Sequence, residues 1–157
     1  MKKLLATIVL LTAIVIPAQA TDGFSHTLVT LPSDPHIEKP WFKVIDNQAD
    51  WEAHFYASTA TITYAAGTAP VAPVLDFENY QVISGGLGMR SSGGYYLAIE
   101  SVKQVGNNMY IHVLNVRPGS NCLVTMALTY PSVTIVVKKA DKPIRVSVSE
   151  LIQQCAE

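Results

Sequence analysis

The chain has 157 residues, of which 49% are hydrophobic and 15% are charged, and its formal net charge at pH 7 is −1. This length suits one domain that can bury a sizeable core. The near-neutral charge, with no basic patch or stripe along the sequence, argues against a nucleic-acid partner held by phosphate contacts.

Residues 1–20 have the pattern of a secretory signal peptide. Lys2 and Lys3 give a positive start, Leu4–Ile16 is mainly apolar, and Ala18-Gln19-Ala20 supplies small residues around a cleavage point. The apolar run is shorter than the roughly 20 residues of a spanning helix, so we expect cleavage and no retained membrane anchor. The sequence therefore predicts a bacterial protein that is periplasmic or secreted.

The exported chain is expected to begin with an extended leader over residues 21–40, which contains three prolines and one short strand at Ser25–Leu31. A single β domain is then assigned to residues 41–157. Without the signal peptide, nine basic residues face twelve acidic ones.

The domain begins with a predicted strand, Trp41–Ile45, and a predicted helix, Gln48–Tyr56. Asp46 or Asn47 can cap the amino end of that helix, because a short polar side chain accepts a hydrogen bond from the first turn.

Trp51 and Phe55 fall near one face of this helix, which indicates an amphipathic helix docked on a sheet. His54 lies between them and is expected to be partly exposed rather than a ligand. Residues 59–73 are rich in Thr, Ala, Gly and Pro, and are predicted to form a loop with one short strand at Thr61–Tyr64.

The remaining sequence shows the short alternating runs that are typical of β-strands. The predicted strands are Tyr80–Ser84, Tyr95–Val102, Met109–Leu114, Cys122–Tyr130, Val133–Val137 and Ile144–Val148. We therefore predict a mostly β (α+β) fold, an antiparallel β-sandwich or open barrel with one N-terminal helix packed on it.

A glycine-rich stretch, residues 85–94, lies between two of these strands and is predicted to form a flexible hairpin tip. A second loop, residues 117–121, carries another basic residue. If both loops lie at one end of the sheet, they form a small basic surface whose backbone amides could pair with an extended peptide. The predicted partner-binding residues are Gly85, Gly86, Arg90, Gly93, Gly94, Tyr95, Tyr96 and Arg117. A plain surface turn is the alternative.

Cys122 and Cys155 are the two cysteines of the chain. An even count in an exported protein predicts one disulfide, which would hold the C-terminal tail against the sheet. A reactive or metal-binding thiol pair is disfavoured, because no CxxC spacing or His-rich tract accompanies them.

Candidate catalytic groups are scattered. The sequence has no GxSxG elbow, and His112 alternates into a strand, where a structural histidine is expected. Asp76 and Glu78 could form an acid–base pair, although a turn beside Asn79 explains them equally well. We predict no catalytic residue.

Metal-ligating residues come closest together at His26, Asp34 and His36, within the predicted leader. They do not have the clustered spacing of a zinc site, so we predict no metal site and no cofactor.

Several short motifs follow one another along the chain in an order that is typical of a known family. They are Val74-Leu75-Asp76-Phe77, an apolar strand ending at Gly85, Gly93-Gly94-Tyr95, Ile99, Pro118-Gly119 with Cys122, and Thr129-Tyr130-Pro131 before Val133–Lys138. Over roughly residues 70–140 this order resembles the C-terminal domain of the protease-complex subunit PrcB family. The resemblance implies an exported accessory subunit of a peptidase assembly without catalytic residues of its own.

These observations lead to one principal hypothesis and two alternatives. The first is a non-catalytic exported domain that binds another protein, as an accessory or regulatory subunit or inhibitor of an envelope or secreted peptidase. The second is a periplasmic module for a small ligand or cell-wall glycan, motivated by Tyr96 and Tyr110. The third is an unrecognised hydrolase that uses His112. The sequence leaves the oligomeric state open.

Overall fold

The computed structural model describes residues 25–31, 37–60 and 70–155. The predicted signal peptide, the predicted strand at Thr61–Tyr64 and the candidate metal ligands Asp34 and His36 lie outside these residues. The elements are β1 (His26–Val29), β2 (Trp41–Ile45), α1 (Gln48–Thr59), β3 (Tyr80–Gly86), β4 (Tyr96–Val105), β5 (Asn108–Pro118), β6 (Ser132–Lys138) and β7 (Ile144–Gln153). The described part of the chain includes no helix long and apolar enough to cross a membrane.

The helix α1 begins where the sequence predicts. Of the two cap candidates, Asn47 is the one that acts, because its side-chain oxygen accepts a hydrogen bond from the backbone N–H of Asp50 at 2.9 Å. Trp51 and Phe55 are both buried, which confirms that this face of the helix docks on the sheet, and the buried face also includes Ser58 and Thr59. The helix runs to Thr59, three residues beyond the predicted end.

The strands form two sheets, and the predicted sandwich is confirmed. The four-stranded sheet has the order β1-β6-β3-β2 and is antiparallel throughout. The three-stranded sheet has the order β4-β5-β7, and its β5–β7 pair is parallel. The expectation of an entirely antiparallel arrangement is therefore wrong at this one pair. The chain enters β7 from β6, which belongs to the other sheet, so no hairpin turn fixes the direction of β7.

Two apolar clusters hold the layers together. One cluster lies between the sheets and consists of Ile83, Val102, Met109, Ile111, Val113, Ile135 and Val137. On the opposite face of the four-stranded sheet, α1 packs through Trp51 and Phe55 against Ile45 and Val82. Burying one side chain of this size stabilises the fold by roughly 1.5–3 kcal/mol. Because the clusters join α1 to one sheet and that sheet to the other, separating any of these layers would lose this stabilisation.

The glycine-rich stretch does not form a hairpin. β3 extends to Gly86, two residues beyond its predicted end, so Gly85 and Gly86 belong to the strand. Because β3 and β4 lie in different sheets, residues 87–95 cross from one sheet to the other, and we call them the crossing loop. At Gly88, φ is +70°, and an added Cβ would lie 2.6 Å from the Lys39 carbonyl carbon. Only glycine fits there without strain.

The predicted strand Cys122–Tyr130 is also wrong. This stretch takes part in one isolated bridge, between Thr129 and Arg90, and is otherwise irregular. It pairs with the crossing loop instead of with a strand, so no ladder forms along it. We call residues 119–131 the covering segment.

A candidate partner-binding surface

The covering segment supports the crossing loop along most of its length. Four backbone hydrogen bonds of 2.8–3.0 Å join them: Leu87 N–H to Pro131 O, Arg90 N–H to Thr129 O, Thr129 N–H to Arg90 O, and Gly93 N–H to Thr125 O. The Thr129 hydroxyl also donates to the Ser92 carbonyl at 2.8 Å. The loop is therefore held against a second chain segment rather than projecting alone.

The covering segment is itself anchored to the end of β7. Cys122 and Cys155 form a disulfide, which confirms the predicted pairing. The Asn121 side-chain amide donates to the Cys155 carbonyl at 2.6 Å, and the Gly119 N–H donates to the Gln153 carbonyl at 2.8 Å. These bonds fix the start of the segment.

Three large apolar side chains of the covering segment point into solvent. Leu123 is fully exposed, Met126 is 90% exposed and Leu128 is 61% exposed. Met89 of the crossing loop is also exposed. Clustered exposed apolar side chains mark interaction surfaces on folded proteins. The sequence did not predict this exposure, because Cys122–Tyr130 was predicted to be a strand, which would bury every second side chain. The available signal against a strand was the position of these residues between Pro118 and Pro131.

The predicted basic and aromatic residues lie beside this apolar patch. The Arg90 guanidinium carbon is 5.9 Å from the centre of the Tyr95 ring. Tyr95 is half-buried and Tyr96 is exposed, and the Tyr96 hydroxyl donates to Gln153 Oε1 at 3.0 Å. Arg117 follows Val116, the cross-strand partner of Tyr96, so it lies at the same end of the sheet. Its charge is compensated by an ion pair with Glu150.

The glycines of the predicted site divide into two groups. Gly85 and Gly86 lie in β3, and Gly86 is buried against the Trp41 side chain. Gly93 is half-buried and Gly94 is exposed. The part of the predicted loop that reaches solvent therefore lies between Met89 and Gly94.

His112 is surrounded by the types of residue found in a catalytic triad. Its Nδ1 lies 2.8 Å from Ser147 Oγ, and its Nε2 lies 2.9 Å from Ser149 Oγ and 3.3 Å from Glu100 Oε2. His112 and Ser147 are register partners of β5 and β7, so the sheet itself brings them together. β5 is the central strand, and its ladders with β4 and β7 engage its backbone amides. Catalysis by such a group also needs backbone donors directed at an oxyanion. The pairing of β5 on both sides therefore argues against a catalytic role for the His112 cluster.

Asp76 and Glu78 form a turn. The Asp76 carboxylate accepts hydrogen bonds from the backbone N–H groups of Glu78 and Asn79 at 3.1 and 3.3 Å, and from the Asn79 side chain at 2.8 Å. The Asn79 side-chain bond is the main cause that lowers the pKa of Asp76. Among the described residues, no group of three His, Cys, Asp or Glu side chains could hold a metal ion.

A cavity of about 350 Å³ opens between the two sheets. It is lined by the inner faces of β2, β3 and β6 on one side and of β4, β5 and β7 on the other, with Arg90 and Leu87 from the crossing loop. Phe42, Val146 and Val148 remain exposed around it. β2 and β7 are the outer strands of their sheets, so the sandwich is open where these two edges lie.

The fold and this surface define a disulfide-linked β-sandwich domain that carries an exposed apolar segment. Residues 82–138 match the family described as PrcB C-terminal. This match runs from β3 to β6, includes the crossing loop and the covering segment, and confirms the resemblance seen in the sequence. No curated protein and no solved structure matches the chain.

Proposed function

We propose that this protein is a non-catalytic, exported protein-binding domain. It acts as an accessory or regulatory subunit, or as an inhibitor, of an envelope or secreted peptidase. The observation that carries the proposal is the exposure of three large apolar side chains, Leu123, Met126 and Leu128, within the region that matches the PrcB C-terminal family.

The energetics of this surface favour association. Covering a Leu or Met side chain contributes roughly 1.5–3 kcal/mol when burial is complete. The disulfide and the backbone bonds to the crossing loop hold the segment in place before binding, which reduces the entropy lost on association. Arg90, Tyr95 and Tyr96 add the arginine and aromatic groups that are enriched at protein interfaces.

The Cys122–Cys155 bond supports the assignment to an oxidising compartment. Disulfides persist in the periplasm and outside the cell, whereas cytosolic thiols are kept reduced. Export to the periplasm or the medium therefore agrees with the disulfide of this chain and with a partner that is an envelope or secreted peptidase.

Affinity capture from envelope extract tests the proposal. The wild-type protein without its predicted signal peptide (the mature protein) should recover a peptidase that mass spectrometry identifies. A Met126→Ser/Leu128→Ser variant should no longer recover this peptidase. Val105→Ser is the matched control, because Val105 is 60% exposed and Leu128 is 61% exposed, while Val105 lies at the far end of β4. Equal recovery by all three proteins, or recovery of porins alone, would contradict the proposal.

Activity measurements then separate the possible roles. Adding the mature protein to the captured peptidase should change its rate of substrate cleavage in one direction. A rise supports an activating subunit, and a fall supports an inhibitor. An unchanged rate combined with a slower thermal inactivation supports a stabilising subunit.

Small-ligand or glycan binding is the second candidate. It is favoured by the inter-sheet cavity and by Tyr96 and Tyr110, which share one face of the three-stranded sheet and are 45% and 43% exposed. Thermal-shift measurements against cell-wall glycan fragments test the glycan form, and an unchanged melting temperature across the panel would exclude it.

A further inference from the structure

The cavity between the sheets combines an apolar body with one charged end. Most of its wall consists of aliphatic and aromatic side chains, among them Phe42, Ile83, Leu97, Val113 and Val148. Among the described residues that line it, Arg90 alone is charged. An elongated apolar ligand with an anionic group matches this distribution.

Arg90 is positioned to receive an anion. It is half-buried, its Nη1 donates to the Met89 carbonyl at 2.9 Å, and its guanidinium lies over Tyr95. These contacts orient the side chain without neutralising it, since neither Met89 nor Tyr95 supplies a carboxylate. A guanidinium has five N–H donors in a fork that suits a carboxylate.

Asn115 supplies a second polar group to the same cavity. Its Oδ1 is buried and has no hydrogen-bond partner among the described residues. It pairs across the sheet with Leu97, two residues after Tyr95, so it lies toward the same end of the sheet as Arg90. Turning the amide by 180° would present its NH₂ group to an anion.

The volume selects the size of the ligand. A dry cavity of roughly 150 Å³ binds benzene, which has six carbon atoms. The cavity of about 350 Å³ is more than twice as large, and it also exceeds the lower limit of about 300 Å³ for ligand pockets. By the benzene comparison it accepts a chain of about 10–14 carbons.

We propose that the space between the sheets binds an unbranched aliphatic carboxylate, with the chain between the two inner faces and the carboxylate at Arg90. The site shares Arg90 with the proposed partner-binding surface, but the aliphatic chain would lie in the interior of the sandwich, away from the exposed side chains of the covering segment.

Titration of the mature protein with dodecanoate, below its micellar concentration, tests this site. Calorimetry gives the affinity, and Trp41, which lines the cavity, provides a fluorescence signal. Dodecyltrimethylammonium has the same chain with a cationic head, and should bind at least about tenfold more weakly. Arg90→Gln should weaken dodecanoate by about tenfold, the range of a charge-assisted hydrogen bond, and should remove the preference between the two heads. Arg145→Gln on β7 is the control, because Arg145 does not line the cavity.

A second pair of variants tests where the chain lies. Val148→Asp places a charge at the cavity wall and should abolish binding, whereas Val105→Asp should leave it unchanged. Both side chains are 60% exposed, so neither substitution buries a charge in the hydrophobic core. Equal affinity for the two amphiphiles, or undiminished dodecanoate binding by Val148→Asp, would overturn the proposal. Loss of peptidase capture with intact dodecanoate binding would leave it standing.

Discussion

The Nε2 atom of His54 on α1 lies 3.0 Å from the Oγ atom of Ser84 in β3. The same Oγ lies 2.7 Å from Thr134 Oγ1 in β6. Ser84 is 1% exposed, so water cannot easily replace these bonds. This short chain of hydrogen bonds joins the helix to two neighbouring strands and complements the apolar contacts of Trp51 and Phe55.

Ser84→Ala should therefore destabilise the fold by about 1–3 kcal/mol, because it leaves buried polar groups without one of their partners. Urea unfolding measures the change. Ser84→Ala combined with Thr134→Val should cost less than the sum of the two single changes, since removing both partners of a buried bond is less costly than removing one. Fully additive losses would show that the two hydroxyls do not interact.

The disulfide joins residues 33 positions apart. In the chain-entropy model, a loop of this size is worth about 3–4 kcal/mol. Cys155→Ser should lower the melting temperature, and reduced wild-type protein should melt at the same temperature as the double variant Cys122→Ser/Cys155→Ser. Identical melting of the oxidised and reduced wild-type proteins would show that the bond contributes nothing to stability.

Local signals in the sequence predicted much of the framework. Asn47 before an amphipathic run specified the helix, and the aromatic pair Trp51 and Phe55 specified its buried face. Alternating apolar residues located β2, β4, β5 and β6. The two cysteines specified their own bond, because no other pairing was available.

The features that the sequence missed depend on contacts between distant residues. Whether β3 and β4 form a hairpin depends on which sheet each strand joins. The sequence of residues 85–94 does not indicate which sheet that is. The direction of β7 depends on where β6 leaves the other sheet. Cys122–Tyr130 is apolar enough for a strand, but its backbone partners belong to the crossing loop. The apolar pattern of this stretch therefore did not predict that Leu123 and Met126 are exposed.

Asp76 makes one part of the stability depend on pH. Its folded-state pKa is lowered by the hydrogen bonds from Asn79 and Glu78. A lowered pKa means that the carboxylate stabilises the fold above its unfolded pKa of about 3.9, and that this contribution is lost as the pH falls through the folded value. The difference in melting temperature between wild type and Asp76→Ala should be constant above about pH 5 and should shrink below pH 4.

Glu78→Ala is the control for this pH dependence, because the Glu78 carboxylate accepts no hydrogen bond from the residues that the structure describes. A difference between wild type and Asp76→Ala that stays the same at pH 3 and pH 7 would show that the turn does not depend on the charge of Asp76.

The cluster around His112 should not hydrolyse esters. Wild type and His112→Ala are expected to release p-nitrophenol from p-nitrophenyl acetate at the same rate, because β5 lies between β4 and β7, where its backbone N–H groups bond within the sheet instead of being directed at an oxyanion. Ser147→Ala should behave likewise. A parallel fall in rate for both variants would assign a catalytic role to the cluster.

The central claim is that the covering segment contacts a peptidase, and photo-crosslinking in intact cells tests it most directly. A benzophenone amino acid at Met126 should capture a peptidase that mass spectrometry identifies, and at Tyr96 it should capture the same protein more weakly. At Tyr110, as exposed as Tyr96 but at the other end of the sheet, it should capture none. Capture of the same protein from Tyr110 as from Met126, or no peptidase from Met126, would contradict the account.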